Sequence, residues 1–299
     1  MRIGAQGPFD TCRVCYPIAI KAMRDMDGSM TILRLNHIAD TRLNAYVGLT
    51  NHQLRNTLDP QRGLAIVESE IAIRTAISNG VEPQSFLLDE KKLEAMEDLL
   101  ATISSDVPVF VLPPDEAQKL TGYRVTRGAL CAVRRPALPS MESLMDESRK
   151  MVVLEGITDT SNVGAIFRNA AALGADAVLV APTCADPLSR RAVRVSMGNV
   201  FGIPWTRASG CWPYDAMEML HDRGFDRIAL ALDSRAVSLE DVRASCERIA
   251  LLFGTEGTGL DAKTLSLCDK TAIIPMARGV DSLNVAASSA VAMWELFAR

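Results

Sequence analysis

Three short stretches in the second half of this 299-residue sequence hold residue types that bind ligands and transfer groups. In GITDTSNVGAIFRNAAALG (156–174), Asn162 closes a polar loop, Gly164 lets a helix start approach its neighbours closely, and Arg168 follows six residues after Asn162. That spacing, almost two helical turns, is read as setting Arg168 near the face of Asn162. Capping and plain surface charge are the bland reading of this pattern. In GTEGTGL (254–260), an apolar run ends in Gly254, Gly257 and Gly259 around a carboxylate, Glu256. Glycine-rich turns of this kind commonly cradle phosphate on backbone N–H groups. This one lacks both the GxxxxGK(S/T) of a phosphate loop and the GxGxxG of a dinucleotide fold, and a simple tight turn is the alternative. In IIPMARGVDSLNVAASSAVAMWELF (273–297), a strand ends at Pro275 and Met276, and Ser282, Leu283 and Asn284 open a helix of small residues. Small side chains permit close backbone approach; an N-cap at Ser282 on an ordinary core helix is the plainer reading.

The elements that must position these residues read as alternating strand and helix. Candidate strands are 151–157, 177–182, 203–207, 227–232, 249–254 and 271–276, short and apolar as in a parallel sheet covered on both faces. Helix-like stretches lie at 163–173, 189–199, 213–223, 237–245, 260–267 and 284–297. All three stretches of interest then follow a strand, where open parallel sheets bind their ligands. The first half carries a smaller α/β unit. GLAIVESE (63–70) reads as a short strand or a helix entry, SEIAIRTAISNG (69–80) as a helix, SFLLD as a strand, EKKLEAMEDLLATI as a helix and VPVFVLP as a strand. The mixed charge and prolines of 134–150 suggest a linker. The domains are thus 1–30 as an N-terminal extension, 31–133 as a small α/β domain, 134–150 as a linker and 151–299 as the larger α/β domain.

Composition sets bounds. Hydrophobic residues make up 48 % of the chain, enough for a sizeable core. No apolar run reaches the ~18 residues of a membrane span, and the first residues lack a secretory pattern, so a soluble cytoplasmic protein is expected. Cys12 and Cys15 form one C-x-x-C pair, but the second pair of a zinc ribbon is missing, and the seven cysteines read as incidental thiols with no metal. The net charge is −4, with 18 Lys and Arg against 19 Asp and Glu in residues 1–150 and 14 against 17 in residues 151–299. An anion-binding surface must therefore be local. Arg190, Arg191 and Arg194 in SRRAVR are one candidate, Arg134 and Arg135 a second, Arg124 and Arg127 a third; a solvated charged face is the alternative.

Taken together and in order, the three stretches resemble the SpoU branch of the SPOUT RNA ribose methyltransferases. The first motif, N-x-G-x-x-x-R, falls on Asn162, Gly164 and Arg168; the second, G-x-E-x-x-G-L, on Gly254, Glu256, Gly259 and Leu260; the third, I-P-M…S-L-N, on Ile274, Pro275, Met276, Ser282, Leu283 and Asn284. The likeness covers about residues 150–299. DPLSRRAVRVSMGNV (186–200) also resembles the segment between the first two motifs, and the first half is similar to the ribosomal-protein-like RNA-binding domain that many members carry.

The resemblance implies a trefoil-knotted α/β domain, a homodimer, RNA as partner and S-adenosylmethionine as cofactor. Gly254, Gly259, Ile274, Met276 and Leu283 would hold the cofactor, and a carboxylate at Glu256 is tolerable beside a nucleoside that bears a sulfonium and no phosphate. The implied reaction is methylation of a ribose 2′-hydroxyl in rRNA or tRNA. Arg168 would clamp an RNA phosphate and stabilise the developing alkoxide, because an Arg rarely gives up its proton. Asn162 would orient Arg168, Ser282 and Asn284 would position ribose or cofactor, and Glu256 would fix the loop or neighbouring polar groups. Rival readings are a non-catalytic RNA-binding protein retaining the fold, a nucleotide-dependent oxidoreductase suggested by the parallel sheet alone, and a methyltransferase acting on a base or on another macromolecule.

Overall fold

A computed structural model describes residues 31–46, 63–121, 128–233, 236–278 and 282–298. The extension 1–30 with its Cys12 and Cys15, and the basic pair Arg124 and Arg127, lie outside the described residues. Among the described residues five strands form the first sheet: β1 (Ile32–Arg34), β2 (Leu64–Glu68), β3 (Pro83–Asp89), β4 (Val109–Leu112) and β5 (Ala129–Arg134), in the order β1-β4-β3-β5-β2. β5 pairs antiparallel with both β3 and β2, while β4 runs parallel to β1 and β3. Residues 63–70 supply both expected features, since β2 ends at Glu68 and Ser69 caps the helix Glu70–Ser78.

The second sheet has seven parallel strands: β6 (Lys150–Leu154), β7 (Ala177–Val180), β8 (Trp205–Arg207), β9 (Asp226–Leu230), β10 (Val237–Ser238), β11 (Ile249–Phe253) and β12 (Lys270–Ile273). Their order is β10-β12-β9-β11-β6-β7-β8. Alternation along β6 explains why both faces are covered. Val152 and Leu154 face a core shared with the helices Thr160–Ala172, Arg190–Val195 and Val285–Met293, whereas Met151 and Val153 join a second core under Tyr214–Asp222. Residues 134–150 are more than a connector. Arg134 completes β5, and Met141–Asp146 forms a helix whose Met141, Leu144 and Met145 are buried in the second core. Pro136 and Pro139 in front of it conceal so short a helix in the sequence.

The two halves share a core. Val67, Ala72 and Ile73 belong to the same apolar cluster as Val152, Val193 and Val200. At its edge the carboxylate of Glu68, 5 % exposed, accepts from Arg190 Nε at 3.0 Å and pairs with Arg194 at 3.6 Å. A buried carboxylate needs such partners. Because Arg190 and Arg194 keep some water, at 23 % and 44 % exposure, Glu68→Gln should cost about 1–2 kcal/mol. The urea midpoint reports it, and an unchanged midpoint would show that the pair adds nothing.

Candidate active site

The carboxyl ends of β9, β11 and β12 open onto one cavity of about 300 Å³. Leu230 to Leu232 line it from β9, Phe253 to Leu260 from β11, and Ala272 to Ile274, Met276, Ser282, Leu283 and Val285 from β12 and the segment after it. All five positions expected to hold a cofactor, Gly254, Gly259, Ile274, Met276 and Leu283, therefore face the same space. Glu256 and Ser282 line it as well.

The loop after β11 is a closed hairpin. Thr255 and Gly259 exchange both backbone bonds, at 3.0 and 3.1 Å, and Thr255 Oγ1 accepts from the N–H of Thr258. The tight-turn reading of these residues is thus correct as geometry. A Cβ on Gly257 or Gly259 would meet nothing within 4 Å, so bare backbone borders the open cavity. The next helix starts only at Ala262 and is capped by Asp261. The loop therefore does not deliver a ligand to a helix N-terminus, as a phosphate cradle or dinucleotide fingerprint would.

Three polar side chains from three stretches converge beside this hairpin. Asn162 Nδ2 donates to Glu256 Oε1 at 2.8 Å, Asn284 Nδ2 donates to the same oxygen, and Asn284 Nδ2 also lies 3.1 Å from Asn162 Oδ1. Asn162 is buried, whereas Glu256 and Asn284 are exposed. Asn284 Oδ1 simultaneously caps the last helix by accepting from Ala286 N at 2.9 Å. The cap thus falls on Asn284, two residues after the expected Ser282. Glu256 Oε1 is the shared acceptor of the Asn162 and Asn284 amides.

Arg168 stands apart from this network. Its side chain is exposed and has no hydrogen bond or ion pair among the described residues. Six residues turn an α-helix by 600°, which is 120° short of two full turns. Arg168 consequently projects from a different face of Thr160–Ala172 than Asn162. The expectation that Asn162 orients Arg168 is corrected: both ends of the Asn162 amide are engaged by Glu256 and Asn284. Gly164 does what its place in the first stretch suggested, because a Cβ there would come within 2.5 Å of the Ala192 carbonyl oxygen.

The basic patch is partly spent on the protein itself. Arg190 is committed to Glu68, with Arg194 beside it, and Arg135 makes a two-pronged pair with Asp186 at 2.8 and 2.9 Å. These carboxylates, far away in sequence, correct the reading of Arg190 and Arg135 as free phosphate contacts. Arg191 is exposed and donates to Ser161 Oγ at the start of the helix that carries Asn162. Nearby, Asp159 caps that helix. The Ser161 N–H, above all, holds its carboxyl below the usual range, and Arg191 adds to the shift. Arg134 is exposed, and its guanidinium has no partner among the described residues.

Two contributors escaped the sequence reading. Glu155, 7 % exposed at the end of β6, accepts from Asp261 N at 3.1 Å and so ties the glycine hairpin to the neighbouring strand. Asn169 donates to the last helix. A Glu ending an apolar strand and an Asn seven residues after another Asn are the signals each offered. Burial pushes the thiols of Cys131 and Cys184 up, and that of Cys268 up to about 12, so they remain protonated. Among the described residues no cluster of three or more His, Cys, Asp or Glu could hold a metal, and no helix is long and apolar enough to cross a membrane.

The chain resembles known proteins over most of its length. The model of the SpoU rRNA methylase family matches residues 149–294. The chain is 38 % identical over 258 residues, 86 % of its length and 88 % of the relative's, to a Mycobacterium bovis protein named an uncharacterized tRNA/rRNA methyltransferase. A 23S rRNA (guanosine-2′-O-)-methyltransferase of Acinetobacter baylyi is 27 % identical across 69 % of this chain and 84 % of its own. Among solved structures, an AdoMet-bound rRNA methyltransferase from Sinorhizobium meliloti shares the fold, with a TM-score of 0.76, 20 % identity and coverage of 89 % of this chain and 97 % of that one.

Proposed function

The chain belongs to the SpoU rRNA methylase family, and from that premise we propose that it transfers a methyl group from S-adenosylmethionine to a ribose 2′-hydroxyl in rRNA. The observation that carries this reading is the convergence of Asn162, Glu256 and Asn284 on a cavity built by the three strand-end segments. The residues present fit the cofactor. The cavity lies at the lower end of the size range of small-ligand pockets. Its walls join apolar side chains to bare glycine backbone, and the one acidic side chain among its described lining residues, Glu256, suits a sulfonium cation better than a phosphate. Gly254, Gly259, Ile274, Met276 and Leu283 would hold it.

When bound, S-adenosylmethionine supplies a methyl group already activated on sulfur. The chain's own part is to place the 2′-oxygen and to favour its negative charge as the proton leaves. Arg168 remains free to do this: its guanidinium clamps an RNA phosphate and stabilises the alkoxide. The Asn162–Glu256–Asn284 network keeps the cavity rim rigid, and Ser282 offers the ribose a hydroxyl. Arg191, Arg194 and Arg134 supply phosphate contacts, and the small first domain selects the RNA by shape and exposed nucleotides. We read the protein as a cytoplasmic homodimer with a knotted second domain; the exposure of Val291 on the last helix and of Trp294 directly after it supports a partner surface there.

Incubating the purified chain with methyl-labelled S-adenosylmethionine and rRNA or tRNA from cells lacking it tests the proposal. Label should enter rRNA at one nucleotide and make the adjoining phosphodiester resistant to alkali, since the blocked 2′-oxygen can no longer attack it. Label on a base, or none in either RNA, would sink the reading.

A further inference from the structure

Asn169 lies seven residues after Asn162 on the helix Thr160–Ala172. Seven residues turn 700°, within 20° of two full turns, so both side chains share one stripe. Asn162 reaches Asn284 and Glu256. One stretch further along, Asn169 Nδ2 donates to the Ala286 carbonyl at 2.8 Å and to Ser289 Oγ at 2.9 Å, and Ser289 Oγ donates to the same carbonyl at 2.7 Å. Ser289 is completely buried. The peptide thus gripped lies two residues past Asn284, whose Oδ1 caps that very turn through Ala286 N.

The helix being gripped cannot set its own rotation. Val285–Met293 reads Val-Ala-Ala-Ser-Ser-Ala-Val-Ala-Met, with small and apolar residues on every side. Hydrophobic burial selects a helix face only where one face is more apolar than the others. On a helix without such asymmetry, a few directed hydrogen bonds decide the rotation. Beyond the helix, in the turn Trp294–Ala298, Lys150 Nζ donates to the Phe297 carbonyl at 2.7 Å, whereas Asn169 acts on the first turn of the helix itself. We propose that Asn169 is a positioning residue that sets the rotation of the last helix and thereby aims the Asn284 amide at Glu256 and Asn162. This rests on the reading of the site as a methyltransferase centre for its effect on rate, though not for its effect on Asn284.

Two readouts test it in the full-length protein. In isotope-labelled samples, the side-chain amide of Asn284 should show slowed hydrogen exchange in the wild type and lose that protection in Asn169→Ala. With S-adenosylmethionine and rRNA from a strain lacking the protein, Asn169→Ala should lower kcat about tenfold, the order expected for a small misplacement of a reacting group. The cofactor Kd by calorimetry should weaken less than kcat falls, because Asn169 touches no side chain of the cavity and reaches it only through the helix that carries Val285 and Ser288. In an Asn284→Ala background the same change should lower kcat no further. Asn169→Ser keeps a donor on a shorter arm; it should restore most of the rate and serves where the alanine variant folds poorly. Unchanged Asn284 protection in both variants overturns the proposal, as do losses that multiply in the double variant. Wild-type protein that methylates no RNA would instead refute the functional reading, while the amide readout still decides the positioning role.

Discussion

Arg168→Ala should reduce methyl transfer on the order of a thousandfold, the scale on which a single charge-stabilising donor is missed at a transition state. Two features of the structure make the expectation sharp. The side chain is exposed and has no partner among the described residues, so its removal breaks no contact within them. Exposed positions of that kind usually tolerate substitution within ±0.5 kcal/mol, and the melting temperature should stay within about 1 °C. It also lies outside the cavity lining, so S-adenosylmethionine should bind with nearly unchanged Kd. Folding, cofactor binding and turnover therefore separate cleanly. Full turnover by the variant would remove Arg168 from the mechanism. A weakened cofactor Kd would place its role in binding instead. Arg168→Lys adds a geometric control: a lysine keeps the charge and loses the two-pronged grip on phosphate, so it should recover only a small part of the rate.

How much of this was legible in the sequence depends on the distance over which each interaction acts. The three strand-end stretches were readable because a parallel sheet sends every strand's carboxyl end to one edge, and short apolar strands announce themselves. Glu256 in a glycine turn marked a loop with a task, and Asn284 proved to meet it. What the spacing could not deliver was rotation. A count of six between Asn162 and Arg168 sounds like two turns and falls 120° short, whereas the count of seven to Asn169 meets the same stripe. Long-range pairing was equally hidden. Nothing in SRRAVR says that Arg190 will find Glu68, 122 residues earlier, or in RRP that Arg135 will find Asp186. A basic cluster is therefore a poor guide to free charge until its carboxylates are known. The strand Ala129–Arg134 and the helix Met141–Asp146 were lost to their shortness and to flanking prolines, although the strand is buried up to Arg134 and the helix buries Met141, Leu144 and Met145.

Gly254→Ala should be the most damaging single-methyl change in the cavity wall. A Cβ at this position would sit 2.2 Å from the Gly259 carbonyl carbon, 2.3 Å from Leu260 N and 2.5 Å from Gly259 O. All three are backbone atoms, so no side chain can swing away to make room. Relief requires prising apart the hairpin that Thr255 and Gly259 close with two hydrogen bonds. Overpacking of this kind costs about 1–3 kcal/mol even where neighbours can shift, and the upper end applies here. The hairpin also carries Glu256, so its opening displaces the shared acceptor of Asn162 and Asn284 and widens the cavity. Calorimetry with S-adenosylmethionine should then show affinity lower by about a hundredfold, near 2.7 kcal/mol, together with a lower melting temperature. Gly257→Ala separates crowding from a general intolerance of side chains in the loop: its Cβ would meet nothing within 4 Å, and its stability should match the wild type. If Gly254→Ala binds the cofactor and melts as the wild type does, the hairpin yields more easily than its backbone contacts imply, and the cavity wall is not fixed by the close approach of Gly254 to Gly259.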